Sequence, residues 1–296
     1  MLHVKNIEKH LSGEEAFMLD NITFSILKGY VCGLIGENGA GKTTLMKIIM
    51  GLYRASGDVV INGCDLKADE QNAKEKLGIV IDEGFFEQEM TIEQIGVFYG
   101  SLYRAFDNIK YLKFIEKFKL DKDMKYKKLS KGMKTKVQLA FSISHDAKLF
   151  LFDEPTAGLD KHFREEFIKL SAELVSDGER SVLISSHITE DLDRIADYIA
   201  YMQEGKLLFC MPKDELCEHF FMVTGEDYKI NLLPKEAVVF KEKNTYSSTA
   251  MVLNKKCFAI DEALEKHTPN IREFMHYFVK GGKYRAKVIA EKYLND

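Results

Sequence analysis

No stretch of the 296 residues approaches the roughly 18 uninterrupted apolar positions of a membrane-spanning helix. The opening residues, MLHVKNIEKH, also lack the charged-then-apolar order of a secretory signal. Five cysteines (Cys32, Cys64, Cys210, Cys217 and Cys257) are scattered without a C-x-x-C pair, so neither a zinc site nor a disulfide framework is indicated, and a reducing cytosol fits. Basic excess is missing too. A net charge of -4 and a pI of about 6.1 supply no overall field for nonspecific nucleic-acid binding, although local basic patches remain. The expectation is a soluble chain, with any membrane span belonging to a partner.

What is present is a sizeable apolar fraction, 46%, enough for a well-buried interior. The length exceeds what one core usually holds, so a large domain plus a smaller one is expected. The most informative stretch is GENGAGKTTLM, Gly36 to Met46, between the apolar run Tyr30 to Ile35 and a segment with Leu45, Ile48, Ile49 and Leu52 at helical spacing. It reads as strand, glycine loop, helix. Gly36, Gly39 and Gly41 permit a tight turn that aims backbone N–H groups inward, and the helix presents its positive end to the same point. Lys42 can reach the outer phosphates of a nucleotide, and the Thr43 hydroxyl can hold Mg²⁺.

Elsewhere the pattern is coarser. His3 to Ile7 and Ile22 to Ile26 alternate, predicting two antiparallel strands that flank the phosphate-loop strand. A base would rest against them on an aromatic, for which Phe17 is the nearest candidate and a core position its ordinary alternative. Leu77 to Ile81 is a further strand ending in Asp82-Glu83-Gly84, at a sheet end where ligands sit or where acids simply line a solvated turn. From Phe85 to Ala147 the character is helical and lysine-rich. Asp107 can cap a helix with the stripe Ile109, Leu112, Ile115 and Phe118. Phe85, Phe86, Phe98, Tyr99 and Tyr103 fit a small core or a docking patch equally well.

A second anion site is written in KYKKLSKGMKTK, where Ser130 and Gly132 begin a helix carrying Val137, Ala140, Phe141 and Ser144 on one face. Then Leu149 to Phe152 reads as a buried strand closed by Asp153-Glu154. An aspartate there can hold a metal's water shell, and the glutamate can orient or deprotonate an attacking water. Asp160 leads into a helix with Phe163, Phe167, Leu170 and Leu174 on one side, and Val182 to Ile184 is a strand finishing at Ser185-Ser186-His187. A histidine so placed can hydrogen-bond a terminal phosphate.

In this order, GENGAGKTT, LSKGM, LFLFDEPTAGLD and SSH resemble the ATP-binding subunits of ABC transporters over residues 1 to about 211. The resemblance implies an α/β P-loop NTPase cassette with an antiparallel β edge and a helical subdomain over about 85–147. ATP would be bound by Gly36, Asn38, Gly39, Ala40, Gly41, Lys42, Thr43 and Thr44, and Mg²⁺ by Thr43 with the help of Asp153. Glu154 would be the catalytic base, and His187 would sense the γ-phosphate. Asp160 would lie at a dimer seam. Ser130 and Gly132 would contact the ATP of an opposite protomer, so two chains pair head to tail around two nucleotides.

Three departures accompany the resemblance. The signature reads LSKGM where LSGGQ is commonest, which keeps the two phosphate-facing positions, so hydrolysis is expected to survive. Asp82 stands where a metal-linked glutamine is usual, which makes it a candidate metal ligand. The expected adenine-stacking aromatic falls near Leu11, leaving Phe17 to supply the platform. Beyond Pro212, Glu226 to Lys256 suggests a small sheet and Asn270 to Val279 a helix, hence an α+β extension over 212–296 ending in a basic tail. The implied function is the ATPase subunit of an ABC exporter, peripheral on the inner face of the cell membrane and docked on membrane subunits through Phe85 to Tyr103. A soluble ABC-type ATPase acting on ribosomes or nucleic acid is the alternative.

Overall fold

A computed structural model of the chain describes residues 1–11, 17–82, 84–157, 159–186, 189–254, 263–282 and 289, with only the backbone of Leu11 and Phe17. Its centre is a six-stranded sheet in the order β10-β9-β3-β8-β7-β6. These strands are β3 (Val31–Ile35), β6 (Leu77–Val80), β7 (Leu149–Asp153), β8 (Ser181–Ser185), β9 (Tyr198–Gln203) and β10 (Lys206–Pro212). All neighbours run parallel except β10, which turns back on β9. Every residue of β3, β7 and β8 is buried, as strands covered on both faces require.

The alternating segments at the start form their own sheet. β1 (Leu2–Leu11), β2 (Phe17–Ile26), β4 (Asp58–Ile61) and β5 (Cys64–Asp65) stand in the order β2-β1-β4-β5, all antiparallel. This corrects the expectation that the first two strands flank β3. Both edges of β3 are already taken by the parallel partners β8 and β9. Leu2, Val4, Ile7, Ile22 and Ile26 instead pack with Cys32, Leu34 and the helix α1 (Lys42–Ile49), so α1 lies in a core shared by the two sheets.

After α2 (Glu70–Glu75) and β6 come α3 (Ile92–Gly100), α4 (Asn108–Lys117), a 3-10 turn at Tyr126–Lys128 and α5 (Lys131–Ser142). Asp107 does cap α4, accepting from the Lys110 N–H. The expected stripe holds at Ile115 and Phe118, which are buried, and at Leu112, which packs partly buried against the core, but not at Ile109, which is 70% exposed while Tyr111 is buried in its stead. Tyr111 wins that face because its ring packs on Phe106 and Phe141 and its hydroxyl donates to the Ile92 carbonyl. The aromatic cluster divides as well. Phe86 is a core residue, with its ring against Tyr99, Tyr126 and Phe141, while Phe85 and Phe98 are 41% and 53% exposed.

The chain continues through α6 (Lys161–Val175) and α7 (Thr189–Ile195). Past the short helix α8 (Lys213–Glu218), a third antiparallel sheet has the order β12-β13-β11-β14. It comprises β11 (Phe220–Gly225), β12 (Val238–Lys243), β13 (Ser248–Leu253) and β14 (Glu265–His267), with α9 (Asp227–Ile230) beside it. The helix α10 (Ile271–Lys280) follows and starts with a capping box between Asn270 and Glu273. Phe274 and Phe278 stack at 4.7 Å, and Phe278 meets Tyr201 of β9 edge-on at 5.4 Å. Phe220, Met251 and Phe278 thus belong to the same apolar core as β7 and β8. Among the described residues no helix is long and apolar enough to cross a membrane.

Candidate functional site

β3 delivers the chain to a loop whose glycines have distinct jobs. Gly36 is at φ 154°, and a Cβ there would stand 2.3 Å from the Met202 carbonyl oxygen, so the close approach to β9 admits only glycine. Gly39, at φ 81°, has no described residue beyond its chain neighbours within 4 Å of a would-be Cβ. Gly41 is in the left-handed region at φ 102°, and among the described residues no side chain caps the helix α1 that it precedes. The first-turn N–H groups of α1 are thus left for an anion to satisfy. Lys42 arcs back over the loop, its Nζ donating to the carbonyls of Gly36 at 2.8 Å and Glu37 at 3.1 Å. Burial lowers its pKa, while the nearby Glu154 and Asp153 charges act the other way. Asn38 and Thr43 are exposed, Thr44 is half-buried, and Ala40 is buried beneath the loop.

The two acids reach the same place from the end of β7, which is separated from β3 by β8. Asp153 is buried and accepts from the Ser185 hydroxyl at 2.5 Å. Glu154, half-buried, has φ 49°, a left-handed conformation that is uncommon for a side chain of its size. Its N–H is held by the Ser185 carbonyl at 3.2 Å and the Ser185 Oγ at 3.0 Å. Ser185 therefore fixes both acids, a role that the sequence did not signal and that follows from its place opposite Asp153 in the β7–β8 register. The charges of Lys42, Asp153 and Glu154 form one constellation at the carboxyl ends of parallel strands, where ligands of such sheets sit.

The remaining candidates lie around this centre. Ser130 is the N-cap of α5, accepting from the Met133 N–H at 3.3 Å, with Gly132 half-buried in the first turn. Asp82 follows the edge strand β6, and its carboxylate is ion-paired with Lys131. Asp160 caps α6, and the Phe163 N–H that it accepts at 2.9 Å holds its carboxyl below the usual range. His187 and the Phe17 side chain lie outside the described residues; the backbone of Phe17 opens β2.

Chemically, a glycine cradle with an uncapped helix start and a lysine fits a polyphosphate. Among the described residues no group of three or more His, Cys, Asp or Glu side chains converges as a metal cage. The donor set of an exposed Thr43 hydroxyl and a buried Asp153 carboxylate suits Mg²⁺, which is bound by one or two protein oxygens plus substrate phosphates.

Comparison with known proteins agrees with this chemistry. The family model described as "ABC transporter" matches residues 19–157. The lantibiotic transport ATP-binding protein SrtF of Streptococcus pyogenes is 31% identical over 217 residues, covering 70% of this chain and 89% of that protein. The linearmycin resistance ATP-binding protein LnrL of Bacillus subtilis (strain 168) is 30% identical over 227 residues, covering 73% and 71%. Among solved structures, an ATP-binding subunit of an ABC transporter superposes with a TM-score of 0.66 at 25% identity, over 73% of this chain and 91% of that one.

Proposed function

The chain belongs to the ATP-binding subunits of ABC transporters, and from that premise we propose that it powers export through separate membrane subunits, as one half of a head-to-tail ATPase dimer. It is an ATPase of the ABC family. Export is favoured because relatives act in linearmycin resistance and lantibiotic transport. The observation that carries the hydrolytic part is the convergence of Lys42, Asp153 and Glu154 beside the uncapped start of α1.

In this reading the backbone of Gly36, Asn38, Gly39, Ala40 and Gly41, with Thr43 and Thr44, holds the phosphates, and Lys42 leaves the loop carbonyls for the outer oxygens. Mg²⁺, held by Thr43 and Asp153, would neutralise phosphate charge. Glu154, fixed through its N–H by Ser185, orients and deprotonates the attacking water. His187 meets the γ-phosphate, Ser130 and Gly132 face the partner protomer's nucleotide, and Asp160 stands at the seam. Phe17 is the candidate platform for the base. Asp82 is not assigned to the metal, because Lys131 already neutralises it.

The membrane subunit would dock where the aromatic segment is exposed. Phe85, Val97, Phe98 and Leu102 present large apolar groups to solvent, whereas Phe86 belongs to the core. Replacing Phe85 and Phe98 with serine should abolish co-purification with the membrane subunits while hydrolysis by the isolated chain persists. Undiminished recovery of the complex would remove the patch from the interface. ATP hydrolysis by the purified chain, lost in Lys42→Ala, tests the reading as a whole.

A further inference from the structure

Among the described residues β6 is the edge of the parallel sheet, so one row of its backbone groups has no strand beside it. Side chains of α5 and the residues just after it fill that row. His145 Nε2 lies 2.9 Å from the Leu77 carbonyl, and the Ser142 hydroxyl donates to the Ile79 carbonyl at 2.7 Å. The Gln138 amide takes both groups of Ile81, donating to its carbonyl at 3.0 Å and accepting from its N–H at 2.9 Å. Residues 77, 79 and 81 are alternate positions whose carbonyls share one edge, while 138, 142 and 145 recur at helical spacing along one line. These three side chains are buried. Two turns before Gln138, on the same line, Lys131 pairs with Asp82, the residue after Ile81. This last rung is a charge pair with side chains 49% and 54% exposed.

We propose that Lys131 is a positioning residue: through Asp82 it fixes the start of α5, and with it Ser130 and Gly132, against the carboxyl end of β6. The inner rungs set where α5 lies along β6. The outer rung sets where its first turn points. Two of the three departures from the common family pattern, lysine in LSKGM and aspartate after β6, are thereby one feature, each supplying the other's counter-charge. The inference rests on the proposed contact between Ser130–Gly132 and a partner's nucleotide only for its kinetic consequence; the coupling of the two segments stands without it.

The test uses Lys131→Met, Asp82→Asn and the charge-swapped double variant Lys131→Asp with Asp82→Lys. Without nucleotide, amide exchange at Asp82 and Gly84 should rise in Lys131→Met, and exchange at Lys131 to Met133 should rise in Asp82→Asn. With Mg-ATP each single variant should lose about two- to fivefold in kcat, the scale of an exposed ion pair, at unchanged ATP affinity. The swapped protein should recover both. Exchange confined to the mutated segment, or single effects that add in the swap, would overturn the inference. So would an altered Mg²⁺ dependence of ATP affinity in Asp82→Asn, which would return Asp82 to the metal. Absence of hydrolysis in the unmodified chain would instead count against the functional reading and leave the exchange result decisive for the pair.

Discussion

Glu154 carries a left-handed backbone at φ 49°, held from behind by Ser185. A non-glycine residue there costs on the order of 1 kcal/mol, and the cost is tolerated where surrounding bonds over-determine the geometry. Glu154→Gln keeps the backbone requirement and the side-chain length but removes the base. Hydrolysis should fall by roughly 10²-fold or more while ATP binding persists. Lys42→Ala should do the reverse in order: nucleotide affinity goes first, because a charge-assisted phosphate contact is lost. Equilibrium binding of a fluorescent ATP analogue beside a phosphate-release assay separates the two, and equal loss of binding in both would remove Glu154 from the role of base. The loop Gly36–Thr44 was legible in sequence because close approach at Gly36 and left-handed geometry at Gly41 leave glycine little alternative. Ser185 was not legible as a brace, since serine at a strand end fits many roles and only the β7–β8 register sets it against Asp153. The Asp82–Lys131 pair was illegible for the same reason, its members lying 49 positions apart in the chain.

At the level of elements, α5, α6 and α10 could be read from their apolar lines and their caps, Ser130, Asp160 and Asn270. Pairing could not. Alternation in β1 says that one face is wet but not which strand lies beside it, and β1 pairs with β2 and β4 because β8 and β9 occupy both edges of β3. The corner between α9 and the strands β12 and β13 shows what such pairing rests on. Asp227 accepts from the Ser248 hydroxyl at 2.6 Å and from Lys241 at 3.3 Å, with Lys243 at 3.7 Å. The Ser248 bond, then the lysines, bring its pKa down to about 2. A carboxyl depressed in the folded state stabilises it above the unfolded pKa, about 4, and this contribution disappears as pH falls through the folded value. The gap in thermal midpoint between the unmodified chain and Asp227→Asn should thus be full above about pH 4 and close towards pH 2. A gap that stays constant across that window would show that the carboxylate does not hold the corner.

For the whole molecule, the question is whether residues 212–296 form a separate unit, as the change of pattern after Pro212 suggests, or a buttress of the cassette. The packing favours the buttress. Phe209 of β10 stacks on Tyr201 of β9 at 5.6 Å, and both rings are covered edge-on by Phe278 of α10, at 6.2 and 5.4 Å. Backbone anchoring reinforces this, since the Ile271 N–H at the start of α10 donates to Asp193 of α7 at 2.7 Å. Arg272 reaches Glu190 on the same helix at 2.8 Å, although so exposed a pair contributes little. α7 begins two positions after His187 in the sequence, so the extension braces a helix that lies next to that residue along the chain. A chain ending at Pro212 would leave Tyr201 and Phe209 as a bare aromatic patch on the sheet and Asp193 without its N–H donor. It should therefore melt well below the full chain or aggregate on purification. Calorimetry of the full chain should show one cooperative transition, because one continuous core joins the two parts. Two resolved transitions, together with a soluble 1–212 chain as stable as the first of them, would make the extension an independent domain and end the buttress reading.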